Sequence, residues 1–135
     1  MLATLKKAAK IANSLIREHV SKVVARSSKW PKVRKSFIAD NPECAACGGK
    51  TLLQVHHILP FHDNPSKELD PTNLIALCMS IKTLCHLRIG HGGAFSSFSR
   101  TVSPDSREVR AFPDKFEEVS RRAEENRIPN KPGEI

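Results

Sequence analysis

The sequence predicts a small α+β domain: two short strands joined by a long loop and followed by a short helix, with further helices on either side. Three observations carry that expectation. The chain has 135 residues, enough for one modest core. Helical periodicity marks both ends of the chain, whereas two β-rich runs, 51–58 and 74–78, lie in its middle. All four cysteines and five of the six histidines fall between Cys44 and His91, so any chemistry is concentrated around those strands.

Residues 2–26 carry apolar side chains at Leu2, Leu5, Ala9, Ala12, Ile16, Val20, Val23 and Val24. These steps of three and four make one helical stripe, with Lys6, Lys10, Arg17, Lys22 and Arg26 largely off it. Such a helix can cover the core, pair with a second copy, or lie along phosphates. Ser27 and Ser28 break it. Pro31 suits a first turn, so a second helix is expected over 31–40, ending before Asn41-Pro42. Residues 44–49 read as a tight knuckle. The strand at 51–58 is followed by a loop rich in Pro, Asp and Asn, then by the strand at 74–78. A short helix is expected from Cys85, limited by Gly90, Gly92 and Gly93. Residues 94–110 show no clear period. A last helix is expected over 114–126, with Phe112, Phe116, Val119 and Ala123 on one side, before a loose tail at 130–135. The chain thus divides into a basic helix at 1–29, a core at 30–93, and a C-terminal loop, helix and tail at 94–135 packed on or beside it.

Lysine and arginine number 22 against 14 acidic residues, a net charge of +8. That favours a polyanionic partner, nucleic acid first. The longest clean apolar run, Leu74–Met79, has only six residues, against about twenty for a membrane-spanning helix. Lys6, Lys7 and Lys10 interrupt the only candidate leader, so a cytoplasmic location is expected. Without export, four cysteines point to a metal site and not to disulfides.

Cys44, Cys47, Cys78 and Cys85 form two pairs about thirty residues apart. A Cys-x-x-Cys turn offers two thiolates from one knuckle, and structural zinc takes four in a tetrahedron. The alternative is four buried free thiols. The second pair is less regular and needs a small looped insertion from Met79 to Leu84. His56 and His57 are adjacent on a strand and therefore point to opposite faces. One can face a metal and the other a substrate. His86 and His91 lie beyond the second strand and could close a metal site with His56. Taken singly, each histidine is more often an ordinary polar or capping residue.

Cys44-x-x-Cys47-Gly48, Val55-His56-His57-Ile58, Leu69-Asp70-x-x-Asn73-Leu74-Ile75-x-Leu77-Cys78 and Cys85-His86 together resemble the HNH endonucleases of the zinc-knuckle type found in phage and bacteria. The resemblance covers about residues 30–93. It implies a ββα-metal (His-Me finger) core with a four-cysteine zinc knuckle and flanking helices. It implies His57 as general base, His56 and His86 as ligands of the catalytic metal, and Asn73 as the residue that pins the loop so that His57 faces phosphate. One departure concerns His91. In several members the second helical ligand follows four residues after the first, a position held here by Gly90, and His91 comes one residue later. The implied cofactors are structural zinc and a catalytic divalent metal (magnesium, manganese, nickel or zinc). The implied partner is DNA, bound mainly through its phosphates by Arg34, Lys35, Lys50, Arg88 and Arg100, with Lys32 a further candidate and a homodimer through the first helix open. His62, a solvated or phosphate-facing loop residue, has no assigned role, and His19 on the first helix is read as structural. The expected activity is metal-dependent hydrolysis of DNA phosphodiesters. The rival is a non-catalytic zinc module that binds nucleic acid, with an RNA-binding zinc protein behind it.

Overall fold

The computed structural model describes residues 6–7 and 26–130. The helix expected over 2–26 therefore lies outside the described residues except for Lys6, Lys7 and Arg26. So do His19, the tail from 131 onward and the surface considered for a homodimer.

Helix α1 spans Trp30–Asp40, with Pro31 in its first turn, where a backbone N–H has no acceptor within the helix. Asn41 closes it, since its backbone and side-chain N–H groups both donate to the Phe37 carbonyl at 2.9 and 3.0 Å. The strands β1 (Leu53–His57) and β2 (Leu74–Cys78) pair antiparallel, Leu53 facing Cys78 and His57 facing Leu74. β2 has the bounds expected of it. β1 begins later than expected because Leu52 is left-handed, with φ of 53°, and turns Thr51 out of the ladder. The long loop between the strands contains two single 3-10 turns, Pro65–Lys67 and Pro71–Asn73.

Beyond β2 the chain makes one wide turn, His86–Gly90, closed by i→i+5 hydrogen bonding as a π-turn and not as the ordinary helix expected. Strand β3 (Ser97–Phe98) pairs with β4 (Ile128–Pro129), and between them lie α2 (Val102–Ala111) and α3 (Phe116–Glu125). α2 occupies a stretch that showed no period. Pro104 masks it in the sequence, yet that proline lies in the first turn, where it costs no hydrogen bond. The last helix starts at Phe116, and Phe112 is exposed instead of joining its apolar side.

The core lies between β2, the π-turn, α2 and α3. Leu77, Ile89, Val102, Val109 and Val119 are fully buried there, beside Cys44, Cys78 and Cys85. Arg122 of α3 bonds Asp105 at 2.8 Å and Glu108 at 2.7 Å on α2, so the buried Asp105 carboxylate is paired. The result is a small α+β fold in which the sulfur cluster forms one edge of the core.

Candidate metal centre and active site

The four cysteines are free thiols whose sulfurs lie within 4.8 Å of one another. Cys44 and Cys47 come from the knuckle, Cys78 from the end of β2, and Cys85 from the entrance to the π-turn. Ala45 N–H donates to the Ala76 carbonyl at 2.9 Å, which fixes the knuckle on β2. Gly48, at φ of 75°, permits the tight turn, and a β-carbon there would run into the Arg110 guanidinium. The Cys47 and Cys78 sulfurs are 3.5 Å apart. A tetrahedron with arms of ~2.3 Å has edges of about 3.8 Å, so the spacing suits one ion. Backbone N–H groups of Cys78 and Gly49 donate to the sulfurs of Cys44 and Cys47, each at 3.4 Å. The Cys85 thiol beside Cys44 draws the Cys44 pKa down to about 4, and the same contact pushes Cys85 up. The irregular Met79–Leu84 insertion is a tight turn in which the Thr83 and Leu84 N–H groups donate to the Ser80 carbonyl at 3.1 and 2.7 Å, with Leu84 left-handed at φ of 48°. Its Thr83 hydroxyl lies 3.2 Å from the Cys78 sulfur, so the extra residues support the cluster.

Across the Cys85–His86 peptide bond begins a second cluster. His86 Nε2 lies 3.1 Å from His56 Nδ1 and 3.2 Å from His91 Nε2. The π-turn is what admits His91. Along an α-helix five residues rotate through 500°, about 140° off the starting face. Here the His91 N–H donates to the His86 carbonyl at 3.1 Å, which returns residue 91 to the side of residue 86. Gly90 is needed at the same place, because a β-carbon on it would lie 3.3 Å from the His56 ring and 3.2 Å from Leu77.

The tautomers follow from the outer partners. The Ser97 carbonyl, 2.7 Å from His91 Nδ1, can only accept, so Nδ1 carries the proton and Nε2 the lone pair. His86 Nδ1 lies 2.6 Å from Gln54 Oε1, with the same consequence. Two bare nitrogen lone pairs thus face each other at 3.2 Å. Burial pushes the pKa values of all three rings down, that of His86 to about 4, so no proton fills the gap at neutral pH. A divalent cation would fill it. Imidazoles ~2.0–2.1 Å from one ion sit about 3.0–3.4 Å apart. His56 faces the cluster with Nδ1, and its other ring nitrogen, Nε2, is buried with no hydrogen-bond partner among the described residues.

His57, on the opposite face of β1, has different surroundings. Its Nε2 donates to the Glu68 backbone carbonyl at 2.9 Å, which leaves the lone pair on Nδ1. The Trp30 ring stacks on it at 4.6 Å. Burial pulls its pKa below the ordinary value, and Arg26 does so further. Buried Asn73 organises the loop that supplies residue 68: its Oδ1 accepts from Leu59 N–H at 2.8 Å, and its Nδ2 donates to the carbonyls of Leu59 and Lys67, each at 3.2 Å.

Cysteine knuckle, paired strands, wide turn and the His56–His57 divide all fall within one stretch, and residues 44–92 match the family model described as HNH endonuclease. This stretch is an HNH domain. No curated protein and no solved structure matches the chain. The match ties the HNH domain to nuclease or nucleic-acid-binding function, with DNA as the partner. Its two side-chain clusters, one of sulfur and one of imidazole, can each hold a metal ion.

Of the cations expected to meet phosphate, Arg34 lines the recess that holds His57 and His86. Lys35 and Arg100 are exposed, and Lys50 lies 4.0 Å from Glu43. Arg88 is engaged otherwise: its guanidinium is forked onto Glu117 at 3.1 and 2.7 Å and lies over Phe116, holding α3 to the π-turn. Several groups around the HNH site escaped the sequence reading. Gln54 and Ser97 orient the His86 and His91 rings, Glu68 offers a backbone oxygen, and Arg26 and Trp30 flank His57. Only Gln54 carried a signal, since it lies two residues before His56 on the same face of a strand.

No helix among the described residues is long and apolar enough to cross a membrane.

Proposed function

We propose that this protein is a metal-dependent DNA endonuclease that hydrolyses phosphodiester bonds with water activated by His57. The observation that carries the reading is the tautomer of His57. A carbonyl that can only accept holds its Nε2 proton, so Nδ1 is left as a base, and His57 lines the same cleft as His56, His86 and His91. The lowered pKa keeps that ring neutral near pH 7. Asn73 serves as the positioning residue, because its three hydrogen bonds hold the loop that carries Glu68.

His56, His86 and His91 hold the catalytic metal, and Cys44, Cys47, Cys78 and Cys85 hold a structural zinc. When bound, the divalent metal supplies charge to polarise a nonbridging phosphate oxygen and to stabilise the leaving 3′ oxygen. His57 Nδ1 takes a proton from the attacking water, and the products carry a 5′ phosphate and a 3′ hydroxyl. Arg34, Lys35, Lys50 and Arg100 contribute phosphate contacts, and with a net charge of +8 binding weakens steeply with salt. One chain carries one such site, so one binding event nicks one strand.

The test is supercoiled plasmid with manganese or magnesium. His57→Ala abolishes nicking while metal content and DNA affinity hold, whereas His56→Ala or His86→Ala also loses the metal. Wild-type protein that binds DNA but leaves the plasmid intact would establish the non-catalytic alternative.

A further inference from the structure

The cleft at the imidazole cluster offers more than the groups that would act on a phosphate. It encloses about 230 Å3, and among its described lining residues Arg26 is the one lysine or arginine. His57 and the three imidazoles of the cluster line one part of it, and Val55, Pro60, Phe61, Phe95 and Phe98 give another part an apolar and aromatic surface. Phe61 and Phe98 are buried and form its floor. Phe95 differs, for it is 52% exposed at the rim, with its ring 5.0 Å from that of His91 and 5.9 Å from that of His86.

Phe95 is held there by its neighbours on the chain. Asn130 N–H donates to the Ser96 carbonyl at 2.8 Å, and the Ser97 hydroxyl donates to the carbonyls of His91 and Ala94 at 2.7 and 2.9 Å. The loop is pinned on both sides of an aromatic ring that it leaves facing solvent. Half of the ring packs against the His86 and His91 side, and the half left to solvent beside the cleft offers a π-face to a planar ligand. In the substrate of the proposed nuclease the planar groups are the bases.

We infer that Phe95 and this cleft take up a base of the nucleotide next to the scissile phosphate, so that the enzyme prefers DNA whose bases are unpaired at the cut. In an intact duplex both faces of each base are covered by its neighbours. A ring about 5 Å from His91, a ligand of the metal in the proposed nuclease, reaches a base face only where the stack has opened. The inference rests on the nuclease reading for the position of the phosphate.

The test separates the two. His57→Ala protein, loaded with zinc and manganese, is titrated with a duplex and with the same duplex carrying a short internal bubble. Stacking of one base predicts bubble affinity higher by about 5- to 100-fold. Phe95→Ala in that background brings the ratio to near one, Phe95→Trp keeps it, and Phe95→Leu, which retains the apolar bulk that the loop is folded around, loses it. Equal affinity for the two DNAs, or a preference that survives Phe95→Leu, overturns the inference. Wild-type protein that never cuts but shows the Phe95-dependent preference refutes the nuclease reading and leaves this one standing. Cleavage with no bubble preference does the reverse.

Discussion

Gly90→Ala tests the wide turn where its two tasks meet. Alanine at a helical position ordinarily stabilises by about 0.5–1 kcal/mol relative to glycine. Here the added carbon would sit 3.2 Å from Leu77 and 3.3 Å from two atoms of the His56 ring. Neither neighbour has room to retreat, since Leu77 is fully buried and His56 is 4% exposed. Overpacking of this kind costs about 1–3 kcal/mol. The net expectation is a loss of about 1–2 kcal/mol, or roughly 5–10 °C in melting temperature for a domain of this size. His56 also moves by a few tenths of an ångström from its neighbours His86 and His91, so nicking should slow about tenfold, a tenth or so of the loss for a full ångström's displacement. The assay is a thermal melt of metal-loaded protein, with metal content by mass spectrometry and a plasmid time course. A Gly90→Ala protein that melts at or above the wild-type temperature and cuts at the wild-type rate would refute the reasoning.

Cys47→Ala should leave a largely unfolded chain with less than one tightly held zinc, because the binding energy of such a site is also folding energy; circular dichroism and metal analysis decide it. Asn73→Ala removes three buried hydrogen bonds and should cost about 2–4 kcal/mol in urea titrations, slowing cleavage with metal content unchanged. The pH profile follows from His57. Its neutral form is active and its pKa lies below the ordinary value, so the acid limb of cleavage per bound metal should be centred below the ordinary histidine value of about 6.5; an acid limb centred above that value would contradict this.

Much of this site was legible because metal chemistry restricts both residue type and spacing. The Cys-x-x-Cys knuckle, the β2 bounds and the alternation that sends His56 and His57 to opposite faces needed nothing beyond local rules. The geometry around His91 was less accessible. A one-residue excess between ligands looks like a mismatch until the backbone is seen to close at i→i+5, and that choice depends on how tightly Gly90 packs under His56. Helix α2 was missed for a related reason. Its buried face is Val102, Ser106 and Val109 plus Asp105, and a buried aspartate reads as polar until Arg122 arrives from α3 to pair with it. The outer partners Ser97 and Glu68 act through backbone oxygens, which no side-chain pattern encodes.

Cys85 and His86 are consecutive residues, one in each cluster, so their Cα atoms are ~3.8 Å apart. That adjacency sets an order of assembly. A chain whose sulfurs are empty has no fixed point from which the wide turn can start, and its imidazoles have nothing to converge upon. A strong thiol-seeking chelator should therefore silence both clusters at once, and magnesium or manganese added afterwards should fail to revive cleavage until zinc has been returned. A newly made chain would stay harmless to DNA until its first ion arrives.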